Sequence, residues 1–80
     1  MHEEEIFGKI LQEERKAKKI SQEKFAKLTG LDRTFISLIE NGKRNPTLIT
    51  ILKICSALKI SPSKLFLKFE DRCPEYNSKK

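Results

Sequence analysis

Residues 22–41 read QEKFAKLTGLDRTFISLIEN, and the order of their small, apolar and polar positions suits two short helices crossing steeply through a tight turn. Ser21 stands where its hydroxyl can accept from an orphan amide of the following turn, so a helix is expected over Gln22 to Thr29. Gly30 follows, at the position where a left-handed residue stops a helix without Cβ strain. Asp32 is a second N-cap and opens a helix through Asn41, with a further stop at Gly42. Only Gly30, Leu31 and Asp32 then join the two helices. Ala26 is small where the helices approach, Leu31 plugs the corner, and Phe25 and Leu28 are expected to face Ile36 and Ile39 across the junction. At roughly 100° per residue, Thr34, Ser37 and Asn41 fall opposite those isoleucines, with Arg33 and Leu38 on the flanks. This outward arc carries no acid.

The flanking segments read as further helices. Glu3 to Lys18 has Ile6, Ile10 and Ala17 on one face and Phe7, Leu11 and Glu14 alongside, with acids at its start and lysines at its end as the macrodipole prefers. Thr47 caps a fourth helix over Leu48 to Leu58. Ser61 caps a fifth over Pro62 to Glu70, with proline at the first helical position where its missing N–H costs least. No segment alternates as a half-buried strand would. The expected fold is all-α, a compact five-helix bundle containing a helix-turn-helix, in one domain over residues 1–70 followed by a polar tail over residues 71–80.

Composition narrows the function. In a chain of 80 residues, 17 Lys and Arg stand against 11 Asp and Glu, a formal charge of +6, which favours a polyanionic partner. The first twenty residues are balanced, and the basic excess lies after them. No apolar run is long enough for a membrane span, and Glu3 to Glu5 do not resemble a secretory leader. A cytoplasmic location is expected, with Cys55 a small core residue and Cys73, beside Pro74, in the polar tail. No cysteine, histidine and acid cluster, phosphate-cradling glycine loop or pair of acids can be assembled, so an enzyme is not expected, nor a metal, cofactor or small-molecule ligand.

The outward arc suits the major groove of double-stranded DNA, which admits one helix and displays donors, acceptors and the thymine methyl. Arg33 can fork onto guanine O6 and N7, and Thr34 can reach a base or phosphate oxygen. Phe35 lies between the inward and outward arcs, so burial against the first helix and contact with a thymine methyl both remain open. Ser37 can serve base or backbone. Glu40, which would repel phosphate, is expected to pair with a basic residue of the same domain.

With SQ at 21–22, the small Ala26, Gly30, the inward isoleucines and ENGKRNP at 40–46, the chain resembles the XRE (Cro/CI repressor-like) helix-turn-helix family. Within it, LDRTFISLIENGKRNP and LITILKICSALKISPSKLF are most similar to the controller proteins of restriction-modification systems. The resemblance implies that Arg33, Thr34 and Phe35 reach base edges, with Ser37 among them or on the backbone. It also implies that Gln22, Lys43, Arg44 and Asn45 hold phosphate. Phe35 departs from the tyrosine often found there and lacks its hydroxyl.

The fourth and fifth helices carry more apolar surface than one core face needs. Leu48, Ile49, Leu52, Phe66 and Leu67 are expected to close a two-fold homodimer, which would read an operator that is an inverted repeat. The function so expected is a sequence-specific transcriptional regulator of its own operon. The alternatives are a solitary or phage-type repressor, or an antitoxin-like module that binds another protein through the same apolar face.

Overall fold

The computed structural model describes residues 2–76. Five helices follow in order, α1 (Glu3–Ala17), α2 (Gln22–Thr29), α3 (Arg33–Glu40), α4 (Leu48–Leu58) and α5 (Pro62–Arg72), and a short 3-10 turn, Pro74–Tyr76, closes the described chain. Among the described residues there is no strand, and no helix is long and apolar enough to cross a membrane.

Local chemistry accounts for where the helices begin. The side chains of Ser21, Asp32, Thr47 and Ser61 accept from the amides of Lys24, Thr34, Thr50 and Lys64 respectively, each satisfying a donor that the helix itself leaves free. The ends are more varied. Gly30 stops α2 at φ +74°, but the turns after α1 and α4 use Lys19 at φ +58° and Lys59 at φ +55°, left-handed positions at which a lysine is strained.

The core gathers Phe7, Ile10 and Leu11 of α1, Phe25 of α2, Ile36 and Ile39 of α3, Ile54, Cys55 and Leu58 of α4 and Leu65 of α5. Leu31 packs against it at the corner and Phe35 along its edge. α1 lies on α3 and α5, α2 on α3 and α4, and α4 on α5. α1 approaches α3 closely at Gly8, where an added Cβ would lie 2.2 Å from the Ile39 carbonyl oxygen. Any side chain there would push α1 off the last turn of α3.

Three expectations are corrected. Leu28 does not face the junction: it is 50% exposed, because the buried pair on α2 is Phe25 and Thr29, one turn apart. The Thr29 hydroxyl makes this burial tolerable by donating to the Phe25 carbonyl at 2.8 Å and accepting from the Leu31 amide at 3.2 Å. On α1 Ala17 is exposed and Arg15 is buried, since Arg15 continues the Phe7 and Leu11 stripe at four-residue spacing.

The third correction concerns the expected tail. α5 runs on to Arg72, Cys73 is fully buried, and the Tyr76 ring stands 6.0 Å from that of Phe69. Lys68 pairs with Glu14 and Arg72 with Glu13, and the Tyr76 hydroxyl donates to Glu3 at 2.5 Å. That carboxylate pushes the Tyr76 phenol up to about 12, and the same bond lowers the Glu3 carboxyl. Burial raises the Cys73 thiol, with Glu3 and Glu75 adding to it, and burial alone raises Cys55, so both thiols are held protonated at neutral pH. The segment expected to be a tail thus begins inside the packed body as far as Tyr76, and its residues 77–80 lie outside the described chain.

Candidate nucleic-acid interface

α3 is held by its buried side so that the opposite side is left outward. Ile36 and Ile39 are fully buried, Arg33 and Thr34 are exposed, and Ser37 and Leu38 are half-buried on the outer flank. Gln22, from the first turn of α2, joins Arg33, Thr34, Ser37 and Leu38 around one shallow notch. Four of the residues expected to contact DNA, Gln22, Arg33, Thr34 and Ser37, are therefore brought together on one surface. Asn41, just past α3, donates to the Ser37 hydroxyl at 3.4 Å.

The notch rests on a buried charged network. Arg15 of α1 forks onto Glu40 of α3, Nε to Oε2 at 2.6 Å and Nη2 to Oε1 at 2.9 Å, while its Nη1 donates to the Ile20 carbonyl at 2.7 Å. Gln22 Nε2 donates to the same Glu40 Oε1 at 3.0 Å. The expected partner of Glu40 is thus Arg15, and the pair is nearly sealed from solvent, its side chains 7% and 1% exposed. A bidentate geometry, with no buried side-chain nitrogen or oxygen left without a partner among the described residues, is what makes such burial tolerable. One carboxylate therefore fixes α1 against α3 and also sets the Gln22 amide at the edge of the outward face. The sequence reading did not single out Arg15, although its place on the Phe7 and Leu11 stripe was a usable signal.

Beyond α3 the chain turns at Gly42, φ +73°, and two bonds hold the turn on the helix end: Gly42 N to Ile39 O at 3.0 Å and Lys43 N to Leu38 O at 2.8 Å. Lys43, Arg44 and Asn45 follow as exposed residues. Arg44 lies over the ring of half-buried Phe35, its guanidinium carbon 5.6 Å from the ring centroid, a pairing the sequence reading did not foresee. Asn45 also borders a second, more apolar groove with Pro46, Ile51, Phe66 and Phe69.

The ion pairs among the described residues engage Arg15, Lys68 and Arg72, so Arg33, Lys43 and Arg44 enter no ion pair of the fold. The one acid of α3, Glu40, is buried. Asp32, at its N-cap, accepts from the Thr34 amide at 3.3 Å. A polar, acid-free helix face with unpaired cations at its start and in the turn after it can present donors to base edges and charge to the flanking phosphates.

Away from the α3 notch, whose lining includes none of them, Leu48, Ile49 and Leu52 of α4 and Phe66 and Leu67 of α5 are between 42% and 66% exposed. Two helices that already contribute Ile54, Leu58 and Leu65 to the core thus leave a second apolar set to solvent. Single exposed apolar residues are ordinary, but five on two packed helices exceed that pattern.

Comparison with known proteins agrees with this geometry. The helix-turn-helix family matches residues 11–65. The control protein C.MunI from a Mycoplasma species is 49% identical over 65 residues, covering 80% of this chain and 88% of that protein. The structure of the restriction-modification controller protein C.AhdI from Aeromonas hydrophila superposes with a TM-score of 0.79 at 45% identity, covering 82% of this chain and 100% of that one. The controller protein C.Esp1396I, solved as a tetramer in complex with its natural 35 base-pair operator, superposes with a TM-score of 0.80 at 29% identity, covering 86% of this chain and 91% of that one.

Proposed function

The chain belongs to the XRE-type helix-turn-helix family, and from that membership we propose that it is a sequence-specific DNA-binding transcriptional regulator, a restriction-modification controller protein acting on its own operon. The observation that carries this reading is the outward face of α3, polar and acid-free, with Arg33, Lys43 and Arg44 in no ion pair of the fold.

α3 is the recognition helix. Arg33 forks onto a guanine, Thr34 and Ser37 reach base edges or the adjoining phosphates, and Phe35 belongs to the same segment. Gln22, held by Glu40, and Lys43, Arg44 and Asn45 grip the backbone, which fixes register without reading sequence. No group on this face is required to make or break a covalent bond, so the protein acts by binding and not as an enzyme. It works where the operon is transcribed, in the cytoplasm.

One short helix reads only a few base pairs. The apolar face of α4 and α5 is proposed to join two copies, Leu48, Ile49, Leu52, Phe66 and Leu67 lying at the two-fold axis. Two recognition helices roughly one DNA turn apart then read an inverted repeat. Because dimerisation is coupled to binding, occupancy rises steeply with protein concentration, which suits a regulator that responds to its own level.

The test is selection of bound duplexes from a random pool at about 0.15 M salt, in the range where non-specific binding is already weakened. Enrichment of an inverted repeat is the expected result. If no sequence is enriched while salt-sensitive binding to all duplexes persists, the reading as an operator-specific regulator is wrong.

A further inference from the structure

We propose that Phe35 is a positioning residue that acts through Arg44: its ring seats the Arg44 guanidinium beside α3, where that group meets a DNA phosphate. The inference rests on the DNA-binding reading above and concerns how one of its contacts is built.

Phe35 packs against the core edge and is half-buried, and the Arg44 guanidinium carbon lies over its ring, 5.6 Å from the centroid. Burial and the guanidinium together reduce the ring surface open to a thymine methyl. The ring has instead the electron-rich face that attracts a cation. Arg44 shares in no hydrogen bond or ion pair that would compete, among the described residues. Its backbone is registered to α3, because the preceding Gly42 and Lys43 amides bond to the carbonyls of Ile39 and Leu38.

A guanidinium uses different parts of itself for the two partners. The cation is drawn to the ring face at 5.6 Å, while the N–H groups of exposed Arg44, which take part in no hydrogen bond of the fold, are the part that forks onto phosphate oxygens. An exposed arginine otherwise loses much rotamer freedom when a ligand fixes it, so a ring that holds it in place beforehand lowers that cost. Any flat aromatic ring would serve. The tyrosine hydroxyl absent from this chain is not needed for it.

The experiment measures binding of the full chain to an inverted-repeat duplex selected with wild type and to a random duplex, each across a salt series. The variants are Arg44→Ala, Phe35→Leu, Phe35→Tyr and the double variant Phe35→Leu/Arg44→Ala. Leucine keeps apolar volume against the core but offers no aromatic face. Phe35→Leu is expected to weaken both duplexes by the same factor, about 2- to 5-fold. Arg44→Ala should weaken them further and lower the salt slope by about 1 per protomer. The double variant should bind no worse than Arg44→Ala, and Phe35→Tyr should match wild type.

The free protein supplies an independent reading. The Arg44 side-chain proton resonances should be shifted by the ring current in wild type and Phe35→Tyr, and should relax to ordinary values in Phe35→Leu. Two results would overturn the proposal: additive losses in the double variant, or a Phe35→Leu protein that changes its preferred base at one position with no loss on random DNA. If wild type binds neither duplex, the DNA-binding reading fails and the proposal with it. A persisting ring-current shift would then show that the stack exists without that use.

Discussion

Arg33 and Glu40 sit at opposite ends of one eight-residue helix and are expected to fail in opposite ways when removed. Arg33 is exposed at the start of α3, where the macrodipole disfavours a cation, and it gains nothing from the fold. Arg33→Ala should hold or slightly raise the melting temperature, cost about 1 to 3 kcal/mol on the operator and relax selectivity at one base pair. Titration against operator and random duplexes checks this; equal losses on both would contradict base reading. Glu40 is sealed, and its removal leaves the Arg15 charge buried without a partner. Glu40→Ala should cost about 3 to 5 kcal/mol of folding stability, read by thermal or denaturant unfolding. Gln22, released from Oε1, would lose its fixed position as well. Gly8→Ala belongs at the same scale. A Cβ 2.2 Å from the Ile39 carbonyl must separate α1 from α3, and a loss of about 1 to 3 kcal/mol is expected; at Gly30 a Cβ would meet no atom within 4 Å, and the strain there comes from its φ of +74° alone.

At the scale of the elements, four of the five helix starts are capped by a side chain, the start of α1 at His2 is not, and two of the helix ends carry a strained lysine. Thr47 accepts from the Thr50 amide at 3.2 Å, and Thr47→Ala should cost about 1 kcal/mol. Lys59 holds a left-handed conformation, φ 55°, that glycine adopts without steric penalty. Lys59→Gly is expected to raise stability by up to about 1 kcal/mol. Neither residue lines the notch on α3, so operator affinity should be unchanged in both when measured below the melting transition. These caps were legible because a cap is a contact over three residues. Lys19 and Lys59 were not, because a left-handed lysine has no marker in composition; tertiary packing over-determines it. Leu28 shows the same limit. Its spacing from Phe25 allowed a place at the junction, but α2 is only eight residues long, and Thr29, with its hydroxyl satisfied inside the turn, took the buried position.

For the whole molecule, two ion pairs, Lys68 with Glu14 and Arg72 with Glu13, tie α5 to α1, while Leu48, Ile49 and Leu52 of α4 and Phe66 and Leu67 of α5 form an exposed apolar set. A Leu52→Lys substitution places a charge in that face without touching the core, since Leu52 is 43% exposed in the single chain. The variant should stay folded by circular dichroism and sediment as a monomer at concentrations where wild type is a dimer. It should also lose most affinity for the inverted repeat while keeping weak, salt-sensitive binding to any duplex. A wild type that itself sediments as a monomer at tens of micromolar would remove the dimer from the mechanism.

The five helices, the tight turn at Gly30 and the outward arc of α3 are legible in the residues, because each rests on caps, stops and a 3.6-residue period that act over a few residues. Thr34, Ser37 and Asn41 fall on that arc by periodicity alone, with Arg33 on its flank. Which base completes Glu40, how far α5 and the 3-10 turn remain packed, and the placing of Arg44 over Phe35 are set by tertiary packing. Arg15 and Glu40 are 25 residues apart, and Tyr76 and Glu3 are 73 apart. Partners at such separations are chosen by which helix faces meet in space, and local periodicity leaves that choice open.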